Sequence, residues 1–447
     1  SNIMSQKKLL GKLYARHIIW LVTLSFFIGT LFLVAYYKVH PVFLFTPLLM
    51  LVLVTIDSFQ SKHSVRRNYP LVGRLRYLFE SVRPEFRQYF FEGELDGKPF
   101  NRRQRSIVYQ RAKNQKQTIS FGMQDEPNRI GYEWAAHSIY PKKNDFSQFR
   151  VTIGNSQCSK PYSASIFNIS AMSYGALSKT AISSLNEGAK MGNFAHNTGE
   201  GGISDYHLKG GDLIWQIGTG YFGCRDGKGH FNDALFVEKA NLKEVKMIEI
   251  KLSQGAKPGH GGLLPAEKNT PEIARIRALE PHKTVHSPSA HTAFSNAIEL
   301  LHFIQKLRNL SNGKPVGFKI CIGKKEEFTE IIEAMLNTNI LPDFITIDGA
   351  EGGTGAAPLE FIDYMGMALS DALVFAHKSL VDYGLRNEIK ILASGKIISA
   401  FDIAKSMSLG ADACYSARGM MFALGCIQAL QCDSGKCPVG IATQDKS

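Results

Sequence analysis

No cysteine occurs before Cys158, and the 447 residues hold only seven. The number is odd, and Cys426, Cys432 and Cys437 crowd into the last 22 residues. That excludes a disulfide framework and points to reduced thiols, some of them metal ligands, in a cytosolic setting. Charge is missing altogether from two stretches, residues 18–37 (IIWLVTLSFFIGTLFLVAYY) and 41–56 (PVFLFTPLLMLVLVTI). No G-x-G-x-x-G follows the first candidate strand, which removes the obvious dinucleotide-binding fold. No nucleic-acid-binding motif accompanies the net charge of +13, so that charge needs another explanation.

The charge is explained by its location. Residues 1–150 carry 23 Lys+Arg against 10 Asp+Glu, whereas the remaining 297 carry 29 of each. The basic excess therefore lies beside the two uncharged runs, where anionic lipid headgroups and membrane orientation account for it. Twenty apolar residues span a bilayer, and sixteen do so with help from their flanks. Only Lys38, Val39 and His40 separate the runs, which predicts a tight transmembrane hairpin in residues 1–61. Lys7, Lys8, Lys12 and Arg16 precede it, while Lys62, Arg66, Arg67, Arg74 and Arg76 follow it. The positive-inside rule then places both ends, and the domain that follows, in the cytoplasm. Ser1-Asn2-Ile3 before Met4 reads as a non-native leader and is set aside. Residues 62–150 form a basic connector too rich in Phe, Tyr and Trp for a loose linker. Short helices along the membrane surface and against the following domain are expected there.

From residue 163 onward, β-branched or apolar runs alternate with helical periods, the pattern of a parallel α/β fold. Candidate strands are residues 165–170, 194–197, 246–252, 284–287, 316–321, 344–348, 389–393 and 413–416. Candidate helices between them include residues 178–190, 295–309, 326–337, 367–381 and 400–408. Eight strands in this order favour a (β/α)8 TIM barrel over residues 151–447, with its chemistry on the loops after the strands. Those loops hold the unusual residues. They include Ser170-Ala171-Met172-Ser173-Tyr174-Gly175, Asn197-Thr198-Gly199-Glu200-Gly201-Gly202, Gln254-Gly255-Ala256-Lys257-Pro258-Gly259-His260, Asp348-Gly349-Ala350-Glu351-Gly352-Gly353-Thr354-Gly355, Ser394-Gly395-Lys396 and Ala417-Arg418-Gly419.

Together these strings resemble the FMN-binding glutamate synthase family, in particular its stand-alone, membrane-anchored members. The sharpest element is Cys426-x5-Cys432-x4-Cys437-Pro438-Val439-Gly440, which resembles the family's ligand set for a 3Fe-4S cluster, three thiolates for three irons. Zinc is the competing metal, although no fourth ligand is evident nearby. The resemblance implies that Ser173, Gln216, Lys319, Gly353, Gly355, Ser394, Gly395, Ala417 and Arg418 hold FMN. Gly395 and Gly419 would offer backbone N–H groups to its phosphate, and Lys319 a positive charge to the ring's N1–C2 carbonyl edge. It further implies that Glu200, Gln254, Lys257 and Arg277 face 2-oxoglutarate and its imine. There Arg277 supplies a bidentate fork, Lys257 a point charge and Glu200 a proton relay. His291 reads as a structural histidine.

The sequence departs from the family in the substrate loops. Full glutamate synthases open with a glutaminase domain and its N-terminal cysteine, whereas here a hairpin occupies that space. His260 stands where Glu is usual and Tyr221 where Arg is usual, and Thr292-Ala293 replaces a His-Asp pair. The family also usually continues past Cys437 by more than the ten residues seen here. The expected activity is reduction of 2-iminoglutarate, formed from 2-oxoglutarate and ammonia, to glutamate by an FMN and 3Fe-4S oxidoreductase. The electron donor would be ferredoxin or a membrane redox partner. A membrane-associated flavin and iron–sulfur redox protein acting on another small substrate is the alternative. A non-catalytic, cofactor-bearing scaffold has no use for a charged ring of Glu200, Lys257 and Arg277.

Overall fold

The computed structural model describes residues 15–115, 118–143, 145, 149–256, 261–266, 268–355 and 357–444. The chain divides into two compact units, Ser1–Arg102 and Arg103–Ser447.

In the first unit the uncharged runs become α1 (Ala15–Tyr37), a 3-10 turn (Pro41–Leu44) and α2 (Phe45–Phe59). Helix is the solution for such runs because each backbone group is then satisfied within its own segment. The hydroxyls of Thr23, Thr30, Thr55 and Ser58 are spent on carbonyls one turn back. The reversal needs Lys38 at φ 52° and a cap in which the His40 ring accepts from Val42 N–H at 3.2 Å. Residues Ala15–Tyr37 and Pro41–Phe59 are each long and apolar enough to cross a membrane.

Two further helices follow, α3 (Ser64–Asn68) and α4 (Val72–Phe86). Asp57, 1% exposed at the end of α2, accepts from the Arg74 guanidinium at 2.7 and 2.8 Å and from Leu71 N–H at 3.1 Å. That carboxylate fixes the start of α4 to the end of α2. Along α4, Val72, Leu75, Phe79 and Phe86 recur at helical spacing and all are exposed, with Arg76 and Arg83 along one border.

The second unit runs from α5 (Arg102–Ala112), which begins at the boundary, into an antiparallel hairpin of β1 (Arg150–Ile153) and β2 (Tyr162–Ser165). Then come β3 (Phe167–Ile169), α6 (Lys179–Gly192), β4 (His196–Asn197), β5 (Leu213–Ile217), α7 (Asp233–Ala240) and β6 (Val245–Lys251). An excursion follows, with β7 (Leu263–Leu264), α8 (Pro271–Arg277) and β8 (Val285–His286). The chain returns through α9 (Ala297–Leu310), β9 (Val316–Ile320), α10 (Lys325–Thr338) and β10 (Phe344–Asp348). It ends with α11 (Leu359–Tyr364), α12 (Leu369–Asp382), β11 (Lys390–Ser394), α13 (Ala400–Ser408), β12 (Ala413–Ser416) and α14 (Arg418–Ala423).

Eight strands, β3, β4, β5, β6, β9, β10, β11 and β12, close in that order into one all-parallel barrel. The TIM-barrel expectation holds, with one exchange of strands. Residues 284–287, expected in the barrel, contribute only β8, which pairs antiparallel with β7 outside it. Their place is taken by β5, Leu213-Ile214-Trp215-Gln216-Ile217, absent from the expected set. Five consecutive buried residues carry no period to distinguish strand from buried helix, and only closure of the barrel decides.

The strands alternate, with one irregularity where β6 skips Lys246 against Leu213-Ile214 of β5. Leu213, Trp215, Ile217, Ile248, Ile250, Val316, Phe318, Ile345, Ile347, Ile391 and Ala393 face outward into the core shared with the helices. Inward, near the strand starts, Ile214, Met247, Phe344, Leu392 and Ala413 pack with Ile153 and Ala164 of the β1–β2 hairpin, which closes that end. The buried Arg308–Asp343 pair at 3.0 Å pins the same end, as Asp343 also accepts from Asn155 and Val316 N–H. Towards the strand C-termini the inward residues turn polar.

Candidate functional site

The polar part of the barrel interior begins with a layer from four alternate strands: Asn197 of β4, Glu249 of β6, Thr346 of β10 and Tyr415 of β12. All four are buried. Such a layer is ordinarily filled by bulky aliphatic side chains. Here Glu249, with no exposure, accepts from Asn197 Nδ2 at 2.8 Å, Gln216 Nε2 at 2.7 Å and Thr346 Oγ1 at 2.6 Å. Burial and the Glu249 charge hold the Tyr415 phenol well above its ordinary pKa. Above this layer stand Gln216, Lys251, Lys319, Asp348 and Ser394, each the last or next-to-last residue of its strand.

Lys319 is 5% exposed, its Nζ 3.4 Å from Asp348. Asp348 also accepts from Gly255 N–H at 2.8 Å, tying the loop after β6 to the end of β10. The two loops cross so closely there that a Cβ on Gly255 would lie 1.8 Å from the Gly349 carbonyl oxygen. Arg418, where α14 begins, lies against Gly353, where a Cβ would meet its guanidinium at 2.9 Å, and it donates to the Glu351 carbonyl. Burial lowers its pKa to about 10, against the opposing pull of Asp348 and Glu351. Ser394 is buried at the end of β11, and Gly395 follows at φ 148°, a conformation glycine adopts freely. Around Gly355 none of the described residues comes within 4 Å of where a Cβ would sit. Ser173 lies against Gly199 and Gly201, joining the loops after β3 and β4, and Ala417 precedes α14. The sequence-predicted cofactor residues thus all sit on strand ends or the loops beyond them.

On the β3–β6 side, Arg277 ends α8 and is buried. Its Nη2 donates to the Tyr174 carbonyl at 3.0 Å, and its guanidinium lies 5.1 Å from the centre of the Phe222 ring. The Nε–H has no partner among the described residues. Burial lowers its pKa to about 10 while Glu200 works in the opposite direction. At the other end of α8, Glu272 takes hydrogen bonds from Tyr174 and Tyr206, each at 2.8 Å, so one helix grips the β3 loop twice. Glu200 pairs with Lys251 at 2.8 Å. Gln254 is half-buried in the loop after β6, three residues past Lys251, and Lys257 and His260 lie outside the described residues.

His291 is held in place by two hydrogen bonds. Its Nε2–H donates to the Lys251 carbonyl and its Nδ1 accepts from Tyr221, both at 2.9 Å, and burial lowers its pKa to about 4. Sequence reasoning missed Glu249, Lys251, Asn197, Thr346 and Asp348. In Lys246-Met247-Ile248-Glu249-Ile250-Lys251 the period of two was visible, but a solvent-facing polar edge reads the same as a polar barrel interior.

Cys426, Cys432 and Cys437 pack against one apolar cluster that includes Ile441 and Ala442. The Tyr109 hydroxyl donates to the Cys426 carbonyl at 2.5 Å, bringing α5 onto this segment. Among the described residues, no three Cys, His, Asp or Glu side chains stand close enough to hold a metal ion. The sequence spacing therefore supplies three thiols that do not form a ligand set among the described residues.

Fold and site together define a TIM barrel whose mouth is lined by buried cations, paired carboxylates and amides. Residues 107–447 match the conserved region of glutamate synthase. The chain is 38% identical over 431 residues to a glutamate synthase large subunit-like protein, YerD, of Bacillus subtilis, covering 87% of this chain and 82% of that one. It is 34% identical over 322 residues to an archaeal glutamate synthase (NADPH) of Methanocaldococcus jannaschii, covering 71% and 59%. With an archaeal-type glutamate synthase (NADPH) of Thermotoga neapolitana the identity is 35% over 277 residues, covering 62% and 51%. This chain belongs to the glutamate synthase family, a family of oxidoreductases.

Proposed function

We propose that the barrel binds FMN at its mouth and reduces 2-iminoglutarate, formed from 2-oxoglutarate and ammonia, to glutamate. The observation that carries the reading is the convergence of buried Arg277 and the Glu200–Lys251 pair beside a mouth lined by Lys319, Gln216 and Arg418. A dicarboxylate needs a cation at its end, and a buried guanidinium supplies one. FMN, when bound, supplies the hydride. The chain's own residues do the rest. Arg277, with Lys257 and Gln254, orients the dicarboxylate. Glu200 moves the proton that the new amine nitrogen requires, and Lys251 compensates the carboxylate's charge as it does so. Lys319 and Arg418 fit the anionic side of a flavin, and Ser173, Ser394, Ala417 and the glycines 353, 355 and 395 leave room for a flat ring and phosphate.

We further assign Cys426, Cys432 and Cys437 to a 3Fe-4S cluster on their spacing. The first two helices then form a hairpin that anchors the barrel, as an integral membrane protein, at the cytoplasmic face. The electron donor would be ferredoxin or a membrane redox partner. Purified without oxygen, the protein should show flavin absorbance and the EPR signal of an oxidised three-iron cluster. Cys432→Ser should remove that signal and retain most of the FMN. A protein carrying only zinc would refute the cluster. The activity test is turnover with 2-oxoglutarate, ammonia and an artificial electron donor. One observation favours a different small substrate: Tyr221, where the resemblance calls for Arg, spends its hydroxyl on His291 and Ala293 N–H. A flavin spectrum indifferent to millimolar 2-oxoglutarate would decide for that alternative.

A further inference from the structure

Glu249 is not among the residues to which the family resemblance assigns a role. It is wholly buried, and the three groups that donate to it come from β4, β5 and β10. A carboxylate held this way fixes the orientation of whatever donates to it, because it offers acceptors only. Gln216 is the consequential partner. Its amide nitrogen is committed to Glu249 at 2.7 Å and its backbone N–H to Thr198 Oγ1 at 3.2 Å. Its side-chain oxygen has no donor among the described residues and is not one of the sealed, unpaired polar atoms. Asn197 is set in the same way, with its amide nitrogen on Glu249 and its oxygen accepting from Gly199 N–H at 3.0 Å. Without Glu249 either end of the Gln216 amide could face the mouth.

We infer that Glu249 is a positioning residue that holds the Gln216 amide so that Gln216 offers an acceptor, not a donor, to a cofactor ring edge carrying an N–H between two carbonyls. This rests on the flavin reading of the barrel mouth, and the flavin's imide N3–H is such an edge. The network makes a clear distinction between two substitutions. In Glu249→Gln the new carbonyl oxygen can still accept from Asn197 and Gln216, while Thr346 turns its hydroxyl to accept from the new amide. In Glu249→Leu both amides lose their acceptor and Gln216 is free to turn.

The experiment measures FMN affinity by fluorescence quenching, together with the 15N resonance of FMN labelled at N3. Glu249→Gln should keep the N3 resonance and bind FMN within about three-fold of wild type, while Glu249→Leu should weaken binding about ten-fold or more and move the resonance towards that of free FMN. If Glu249→Gln is as defective as Glu249→Leu, the charge matters and the positioning role is wrong. If folded Glu249→Leu keeps wild-type affinity and resonance, the carboxylate is merely structural. Should Glu249→Leu fail to fold, Gln216→Glu replaces it. Two facing carboxyls must share a proton, so FMN binding should fall in that variant as pH rises from about 6 to 9, while wild type stays level. A level profile in Gln216→Glu overturns the inference. Wild-type protein that takes up no FMN at all overturns the cofactor reading, and the inference with it.

Discussion

Arg277 carries the clearest test of the site. A guanidinium whose pKa is lowered only to about 10 remains charged at neutral pH, and Tyr174 takes only one of its donors among the described residues. Arg277→Ala should weaken 2-oxoglutarate by roughly 1.5–3 kcal/mol, about 10- to 150-fold, without releasing FMN. Titration of the flavin spectrum with 2-oxoglutarate measures both. Glu200→Gln keeps the shape but not the proton relay, so steady-state kinetics should show turnover falling more than affinity. His291 sets a pH dependence of a different kind. Its folded pKa is about 4 against an ordinary value near 6.5, so below pH 6.5 the unfolded chain binds the proton and the folded one does not. Stability is therefore lost as pH falls from about 6.5 to about 4, by about 2 kcal/mol at pH 5 for this group. His291→Gln can keep both hydrogen bonds without titrating. The drop in melting temperature between pH 7 and pH 5 should shrink in that variant.

Loops rather than strands set the tolerances of the site. Where the segments after β6 and β10 cross, a methyl group on Gly255 would run into the Gly349 carbonyl and come close to the Gly352 nitrogen, and backbone cannot swing aside as a side chain does. Gly255→Ala should cost about 1–3 kcal/mol and lower FMN loading, because it separates Asp348 from the N–H it holds and loosens Lys319 in turn. Thermal melting with and without added FMN checks both effects. Helix α4 shows a second element-level device. Its exposed stripe of Val72, Leu75, Phe79 and Phe86 beside Arg76 and Arg83 has the form of a helix lying in a headgroup layer. An environment-sensitive fluorescent residue at position 79 should be blue-shifted in anionic nanodiscs, whereas one at Ser81 should report water.

For the whole molecule, the unequal distribution of charge beside two helices long and apolar enough to cross a membrane sets the expected topology of the proposed anchor. A reporter fused after Lys62 should be active only in its cytoplasmic form, and periplasmic activity there would reverse the orientation. Legible in the sequence were two helices long and apolar enough to cross a membrane, the fold class and which loops bear the unusual residues. Uncharged runs of membrane length, the strand–helix alternation and glycine-rich strings are all local properties of the chain. Helices such as α13 were legible to the residue because Ser399 and Asp402 form a capping box within four residues of one another. Tertiary structure alone decided that β5 closes the barrel and that residues 284–287 do not, since a short buried run takes its identity from its neighbours. It alone also made Lys251 the partner of Glu200, and Glu249 the hub of Asn197, Gln216 and Thr346. Inward-facing side chains from alternate strands meet only when the sheet closes on itself, and no spacing along the chain records that meeting.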